Sequence, residues 1–206
     1  RPCALAVDPV EKKPLFHVLP GATALSLATA GCNLECKCCQ NWEIAQARPE
    51  QVPSTTLTPA DVVTLARKKG AALVACTYTE PVVFSEYALD IARAGGRAGV
   101  RTVLVSNGYI QEQPLAELCR EIAAYKVDLK GFDAAFFKRH TGGELRHEIR
   151  RFERLARFFD DDGVTDADVF FSNVIKVMQR SAFDNNAADL HWFKHGIGDQ
   201  HTRPSD

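Results

Sequence analysis

The sequence predicts an α/β fold in which helices alternate with the strands of a parallel sheet, and three observations lead there. Apolar runs of strand length at residues 24–29, 71–76, 102–105 and 124–129 are separated by segments of helical periodicity. Helix start and stop signals fall between these runs, as βαβ units require. Polar clusters follow the apolar runs, at the strand ends where α/β sheets carry their functional groups.

Taken in order, residues 1–22 hold Asp8-Pro9-Val10-Glu11-Lys12-Lys13-Pro14 and close on Pro20-Gly21, which predicts an extended lead-in with turns. Lys12 and Lys13 read as a solvated turn. Cys3 and His17 stand singly and read as structural residues rather than ligands. The run at 24–29 enters Gly31-Cys32-Asn33-Leu34-Glu35-Cys36-Lys37-Cys38-Cys39-Gln40-Asn41, where four of the seven cysteines fall within eight residues. Cys32, Cys36 and Cys39 are spaced C-x-x-x-C-x-x-C, and thiolates this close suit zinc or iron–sulfur binding. A structural zinc site takes four ligands, usually as two separated pairs, and no second pair follows here. An iron–sulfur cluster normally takes four thiolates, so three leave one iron open to an outside ligand.

Residues 48–53 are polar and turn-like. Thr58-Pro59-Ala60-Asp61 then reads as an N-cap, a proline at the first helical position and an acid three residues on. Val62, Leu65 and Ala66 mark the helical face, and Gly70 stops it. After the run at 71–76, Pro81 opens a helix with Phe84, Tyr87, Ala88 and Ile91 on one face and Gly95-Gly96 at its end. After the run at 102–105, Leu115, Leu118, Cys119 and Ile122 fall at i, i+3, i+4 and i+7 and predict a third helix. The run at 124–129 contains Asp128 and leads to Lys130, which share a face if the strand continues through them. Cys76 and Cys119 read as small buried residues.

Composition sets wider bounds. The chain is 46% hydrophobic and 25% charged, an ordinary globular balance, and its net charge of -1 offers no electrostatic argument for a nucleic acid or an anionic membrane surface. No apolar run reaches the ~18 residues of a membrane span. An odd, clustered set of cysteines argues against a secreted disulfide framework and for a reducing cytoplasm. Beginning at Arg1 without a signal peptide, the chain reads as a fragment or as one whose start is missing.

The segment from Ser26 to Cys39, with its three cysteines flanked by Gly31, Asn33 and Leu34, resembles the cluster loop of radical S-adenosylmethionine (SAM) enzymes, and within them the relatives of pyruvate formate-lyase activating enzymes. That resemblance implies a partial (β/α)6-type barrel with parallel strands, a [4Fe–4S] cluster on Cys32, Cys36 and Cys39, and SAM chelating the open iron through its amino and carboxylate groups. It implies an enzyme that cleaves SAM reductively to methionine and a 5′-deoxyadenosyl radical, with an external one-electron donor such as a ferredoxin or flavodoxin. The substrate, a protein or a small molecule, is not legible. In the family the residue before the third cysteine is usually aromatic and lies near the adenine; here it is Cys38.

Three further motifs follow from the resemblance. Glu80-Pro81 stands where the family has Gly-Gly-Glu-Pro, whose backbone and acid engage the SAM amino group, with Tyr78 and Thr79 in place of the glycines. The alternative is a helix-start acid favoured by the dipole. Ser106-Asn107-Gly108 is similar to a Thr-Asn-Gly turn near the ribose and carboxylate, or is a plain turn. Asp128-x-Lys130 is similar to an Asp-x-Lys motif that helps to bind SAM, or is an exposed ion pair. Trp42 is a candidate shield for the cluster.

The likeness fades after residue 145, so the expected organisation is a radical SAM partial barrel over residues 1–145, truncated or altered after its fourth βα unit, and a divergent segment over 146–206. Within that segment 147–159 predicts a basic amphipathic helix, 169–178 a strand, His191 and His195 a surface pair, and the last ten residues disorder. Other readings of the cysteine loop are a non-catalytic iron–sulfur electron carrier with Cys38 or a distant thiol as fourth ligand, a structural zinc module, and an inactive remnant.

Overall fold

A computed structural model describes residues 1–15 and 18–146. His17, the helix expected at 147–159, the strand at 169–178 and the His191/His195 pair lie outside the described residues.

The strands are β1 (Ala4–Pro9), β2 (Thr23–Ala28), β3 (Leu73–Cys76), β4 (Arg101–Ser106) and β5 (Ala124–Val127). They form one sheet in the order β1-β2-β3-β4-β5. The step from β2 to β5 is parallel throughout, whereas β1 pairs antiparallel with β2 from Ala4↔Ala28 to Pro9↔Thr23. Among the described residues the sheet is open, with β1 and β5 at its edges. The lead-in, expected to be extended with turns, is extended over Ala4–Pro9 and pairs there as an edge strand, which the expectation did not include. Its alternation of half-buried and exposed residues, with Leu5 and Val7 outward, was obscured by Asp8 and Pro9, which lower strand propensity.

The helices are α1 (Trp42–Ala45), α2 (Pro59–Lys68), α3 (Ser85–Ala98), α4 (Glu112–Glu121) and α5 (Ala134–Thr141). The capping box expected at Thr58 forms: Thr58 Oγ1 accepts from Asp61 N at 3.2 Å, and Asp61 Oδ2 accepts from Thr58 N at 2.9 Å. A short 3-10 turn, Pro81–Phe84, precedes α3. α3 does not end at Gly95-Gly96 but runs on to Ala98, with Gly99 left-handed at φ 72. Gly95 serves packing instead, because a Cβ there would meet the Val100 carbonyl oxygen at 2.4 Å.

One face of the sheet packs under α2, α3 and α4, burying Leu25, Leu27, Val74, Cys76, Leu104 and Tyr125 against Val62, Ile91 and Leu118. Each fully buried side chain of this kind contributes roughly 1.5–3 kcal/mol. The other face buries Ala24, Leu73, Ala75, Val103 and Ala124 under Val10, Leu15 and Val18 from the lead-in. No helix among the described residues is long and apolar enough to cross a membrane.

Candidate active site

Each parallel strand delivers one polar segment to the same rim. From β2 the chain reaches Gly31, whose φ of 107 is costly for a side chain and free for glycine. The cysteine loop beyond is tied down by its backbone. Gly31 N donates to Ile44 O at 2.9 Å, Glu35 N to Thr141 O at 2.8 Å and Lys37 N to His140 O at 2.9 Å. Leu34 is buried against Gly143, where a Cβ would stand 2.8 Å from its Cδ2. The loop therefore rests on α1 and on the end of α5.

Burial pushes the Cys36 thiol up to about 11 and raises Cys32 as well, although the Leu34 amide opposes the rise in Cys32. Both thiols sense the charge of Cys39, and Cys36 also senses Cys32 and Cys38. Cys38 is exposed. Among the described residues no three His, Cys, Asp or Glu side chains converge as a single metal ion would need. Metal loading removes the protons that burial otherwise keeps on such thiols. By chemistry, soft thiols gathered on one loop are donors of the kind that iron–sulfur clusters and zinc both take.

From β3 the chain passes Thr77-Tyr78-Thr79-Glu80. Thr79 N donates to Thr77 O at 2.9 Å, closing a three-residue turn around Tyr78 at φ 68. That is a strained γ-turn, rare for a residue with a side chain. Thr79 Oγ1 donates to Thr29 O at 2.7 Å, and Asn41 Nδ2 to Tyr78 O at 2.8 Å. The segment is thus stitched to both flanks of the cysteine loop.

Glu80 is 2% exposed and caps the 3-10 turn by accepting from Val82 N at 3.0 Å. Its carboxylate also accepts from Ser106 Oγ at 2.6 Å and Asn107 N at 2.7 Å. Burial pushes its carboxyl up to about 7 against the pull of those donors. Of the two roles weighed for Glu80, the helix-start acid is seen in this cap, and the same carboxylate also clamps the neighbouring strand end. Ser106 Oγ in turn accepts from Tyr125 Oη at 2.8 Å and Gly108 N at 3.0 Å.

Asn107 Nδ2 lies 2.8 Å from Asn33 Oδ1 and 3.9 Å from Cys32 Sγ, and Asn33 Nδ2 donates to Tyr109 O at 2.7 Å. β5 ends at Val127, so Asp128 and Lys130 stand just beyond the strand rather than within it, although Asp128 N still donates to Ser106 O at 2.7 Å. Asp128 bridges two lysines, pairing with Lys126 and, at 3.5 Å, with Lys130. Burial works to lower the Lys130 ammonium, but Asp128, Cys36 and Glu80 together carry it upward. Lys130 places a cation beside Cys36. Cys32, Glu80, Ser106, Asn107 and Lys130 thus share one rim.

Sequence reasoning missed several contributors. Lys126 is buried beside Asp128, and its signal was a lysine two residues before an acid in an apolar strand. Lys13 is not solvated as expected; its side chain is 6% exposed and sits 3.0 Å from Asp8, while Lys12 is exposed. Trp42 is 63% exposed, which does not suit a shield. Cys76 and Cys119 are buried, as expected.

A family model described as Radical SAM superfamily matches residues 26–173. An uncharacterized protein of Methanocaldococcus jannaschii is 41% identical over 137 residues, covering 66% of this chain and 40% of its own length. The chain therefore spans about two fifths of that relative. Among solved structures, TYW1 with a lysine–pyruvate adduct bound aligns with a TM-score of 0.48 and 15% identity, over 70% of this chain and 54% of the other. The anSMEcpe structure with bound AdoMet aligns with a TM-score of 0.47 and 16% identity, over 66% and 40%. QueE from Escherichia coli gives a TM-score of 0.41 and 14% identity, over 70% and 73%.

Proposed function

Because this chain belongs to the radical SAM superfamily, we propose that it is a radical SAM enzyme related to the pyruvate formate-lyase activating enzymes, which binds a [4Fe–4S] cluster through Cys32, Cys36 and Cys39. When bound, the cluster supplies the electron for reductive cleavage of SAM to methionine and a 5′-deoxyadenosyl radical. The observation that carries this reading is the junction at Asn107, whose side chain reaches Asn33 and Cys32 while its backbone is held by Glu80. The cysteine loop and the strand-end motifs are one hydrogen-bonded unit.

The chain's own residues divide the work by what they have left to offer. Glu80 and Ser106 have their side-chain oxygens engaged within the protein, so they act by holding the backbone of Val82, Asn107 and Gly108 in place. Thr79 and Glu80 form the wall toward the SAM amino group, where strand-end carbonyls suit an ammonium. Lys130 offers a positive charge to the SAM carboxylate, and Asp128 sets its position. Asn107 and Ser106 would lie toward the ribose or carboxylate of bound SAM. Asn107 Nδ2 also offers an N–H to Cys32 sulfur, the kind of contact that tunes a cluster's potential.

The electron comes from outside, from a ferredoxin or flavodoxin, and the substrate is a protein or small molecule brought to the radical. The protein positions and excludes water, while the cofactors carry the hard chemistry. The test is anaerobic reconstitution of the full chain, then SAM titration followed by electron paramagnetic resonance and a 5′-deoxyadenosine assay. A SAM-dependent change in the spectrum with 5′-deoxyadenosine released supports the reading. An iron–sulfur signal indifferent to SAM points to an electron carrier. Zinc uptake without iron points to a structural module.

A further inference from the structure

We infer that Asp8, with Lys13 beside it, is a positioning residue for the cofactor-facing end of β3, acting through Tyr78; this rests on the cofactor assignment proposed above. Tyr78 occupies a backbone conformation that glycine adopts freely and a tyrosine adopts only under constraint (φ 68). The constraint is visible at both ends of the residue. At the backbone end, the Tyr78 carbonyl accepts from the side chain of Asn41 at 2.8 Å, two residues beyond Cys39. At the side-chain end, the phenol donates to Asp8 Oδ2 at 2.9 Å, and Lys13 Nζ stands 4.7 Å from the ring centroid.

Asp8 is itself firmly placed. It pairs in register with Ala24 on the edge strand β1. Its carboxylate takes Lys12 at 3.1 Å, Lys13 at 3.0 Å, Ser26 Oγ at 3.3 Å and the Tyr78 hydroxyl. Lys13, then Tyr78 and Lys12, hold it well below the usual carboxylate range despite its partial burial. A charged anchor of this kind makes strong hydrogen bonds. The antiparallel strand that stands outside the βα repeat therefore contributes to the site from a distance. It grips the ring of Tyr78, keeps the γ-turn closed and so fixes Thr79 and Glu80 against the cysteine loop.

The test is a double-mutant cycle in the full chain with D8N, Y78F, Y78G and D8N/Y78G. Two readouts are used: SAM affinity of the anaerobically reconstituted protein, and amide hydrogen exchange at Thr79 and Glu80 in the protein before reconstitution. D8N and Y78F are expected to weaken SAM binding about tenfold, equivalent to ~1.4 kcal/mol, with iron content unchanged, and to speed exchange at those two amides. In the Y78G background, where no strained side chain needs holding, adding D8N is expected to change neither readout.

An equal effect of D8N in both backgrounds overturns the inference, as does unchanged exchange in Y78F. Y78F removes a single hydroxyl and keeps the test decisive if D8N fails to fold. If the parent protein does not bind SAM, the cofactor assignment falls, and the exchange data still decide whether Asp8 holds the turn.

Discussion

The Glu80 carboxylate accepts the backbone N–H of Asn107 at 2.7 Å, joining the end of β3 to the end of β4 across 27 residues of chain. With Ser106 Oγ and Val82 N also donating, every neighbour placed on this carboxylate is a donor. An amide there turns an N–H toward a donor. Glu80→Gln is therefore expected to lower stability by roughly 1–3 kcal/mol, the cost of a buried group left unsatisfied, and to weaken SAM binding. Urea unfolding and SAM titration measure the two effects.

The same burial makes stability depend on pH in a direction that can be worked out. The folded carboxyl titrates near 7 and the unfolded one near its ordinary 4.5, so between these values the folded state binds more protons. Glu80's contribution is then complete below about pH 4.5 and lost as pH rises through about 7. Asp8 acts oppositely: its folded pKa lies below the ordinary 3.8, so its contribution is present above that value and lost as pH falls. Unfolding midpoints measured across this range should flatten on the neutral side in Glu80→Gln and on the acid side in Asp8→Asn.

Adjacent glycines in α3 should respond with opposite signs. A Cβ on Gly95 would stand 2.4 Å from the Val100 carbonyl oxygen, a backbone atom that cannot move aside cheaply. Gly95→Ala is expected to cost about 1–3 kcal/mol or more through overpacking. Gly96 faces open space, so Gly96→Ala should gain roughly 0.5–1 kcal/mol from helix propensity. Thermal melts of the pair check both values.

Two cysteines in different surroundings separate ligand from core. Cys36→Ala is expected to lose most of the iron taken up on anaerobic reconstitution and the SAM-dependent change in the paramagnetic spectrum. Cys119, 1% exposed within the helix-covered core, should keep both on replacement by alanine, at a stability cost of about 1 kcal/mol for the small void. Equal loss of iron in the two variants would overturn the ligand assignment.

Much of this architecture was legible because it is written in neighbouring residues. The three-cysteine spacing, the Thr58–Asp61 capping box and the alternation of strand runs with helical faces each need only a few consecutive side chains. Their chemistry acts at short range, so local sequence determined the α/β class, the family resemblance and the positions of the polar rim.

What tertiary structure alone decided were the partnerships across distant segments. Nothing near Lys13 announces that it will be buried against Asp8, and nothing near Asp8 announces the Tyr78 hydroxyl 70 positions away. The edge strand β1 exists because β2 offers it a ladder, and Tyr78 holds a glycine-like turn because two remote side chains grip it. Strain and burial are properties of the packed chain: a residue's conformational cost is offset only by the partners that folding brings to it.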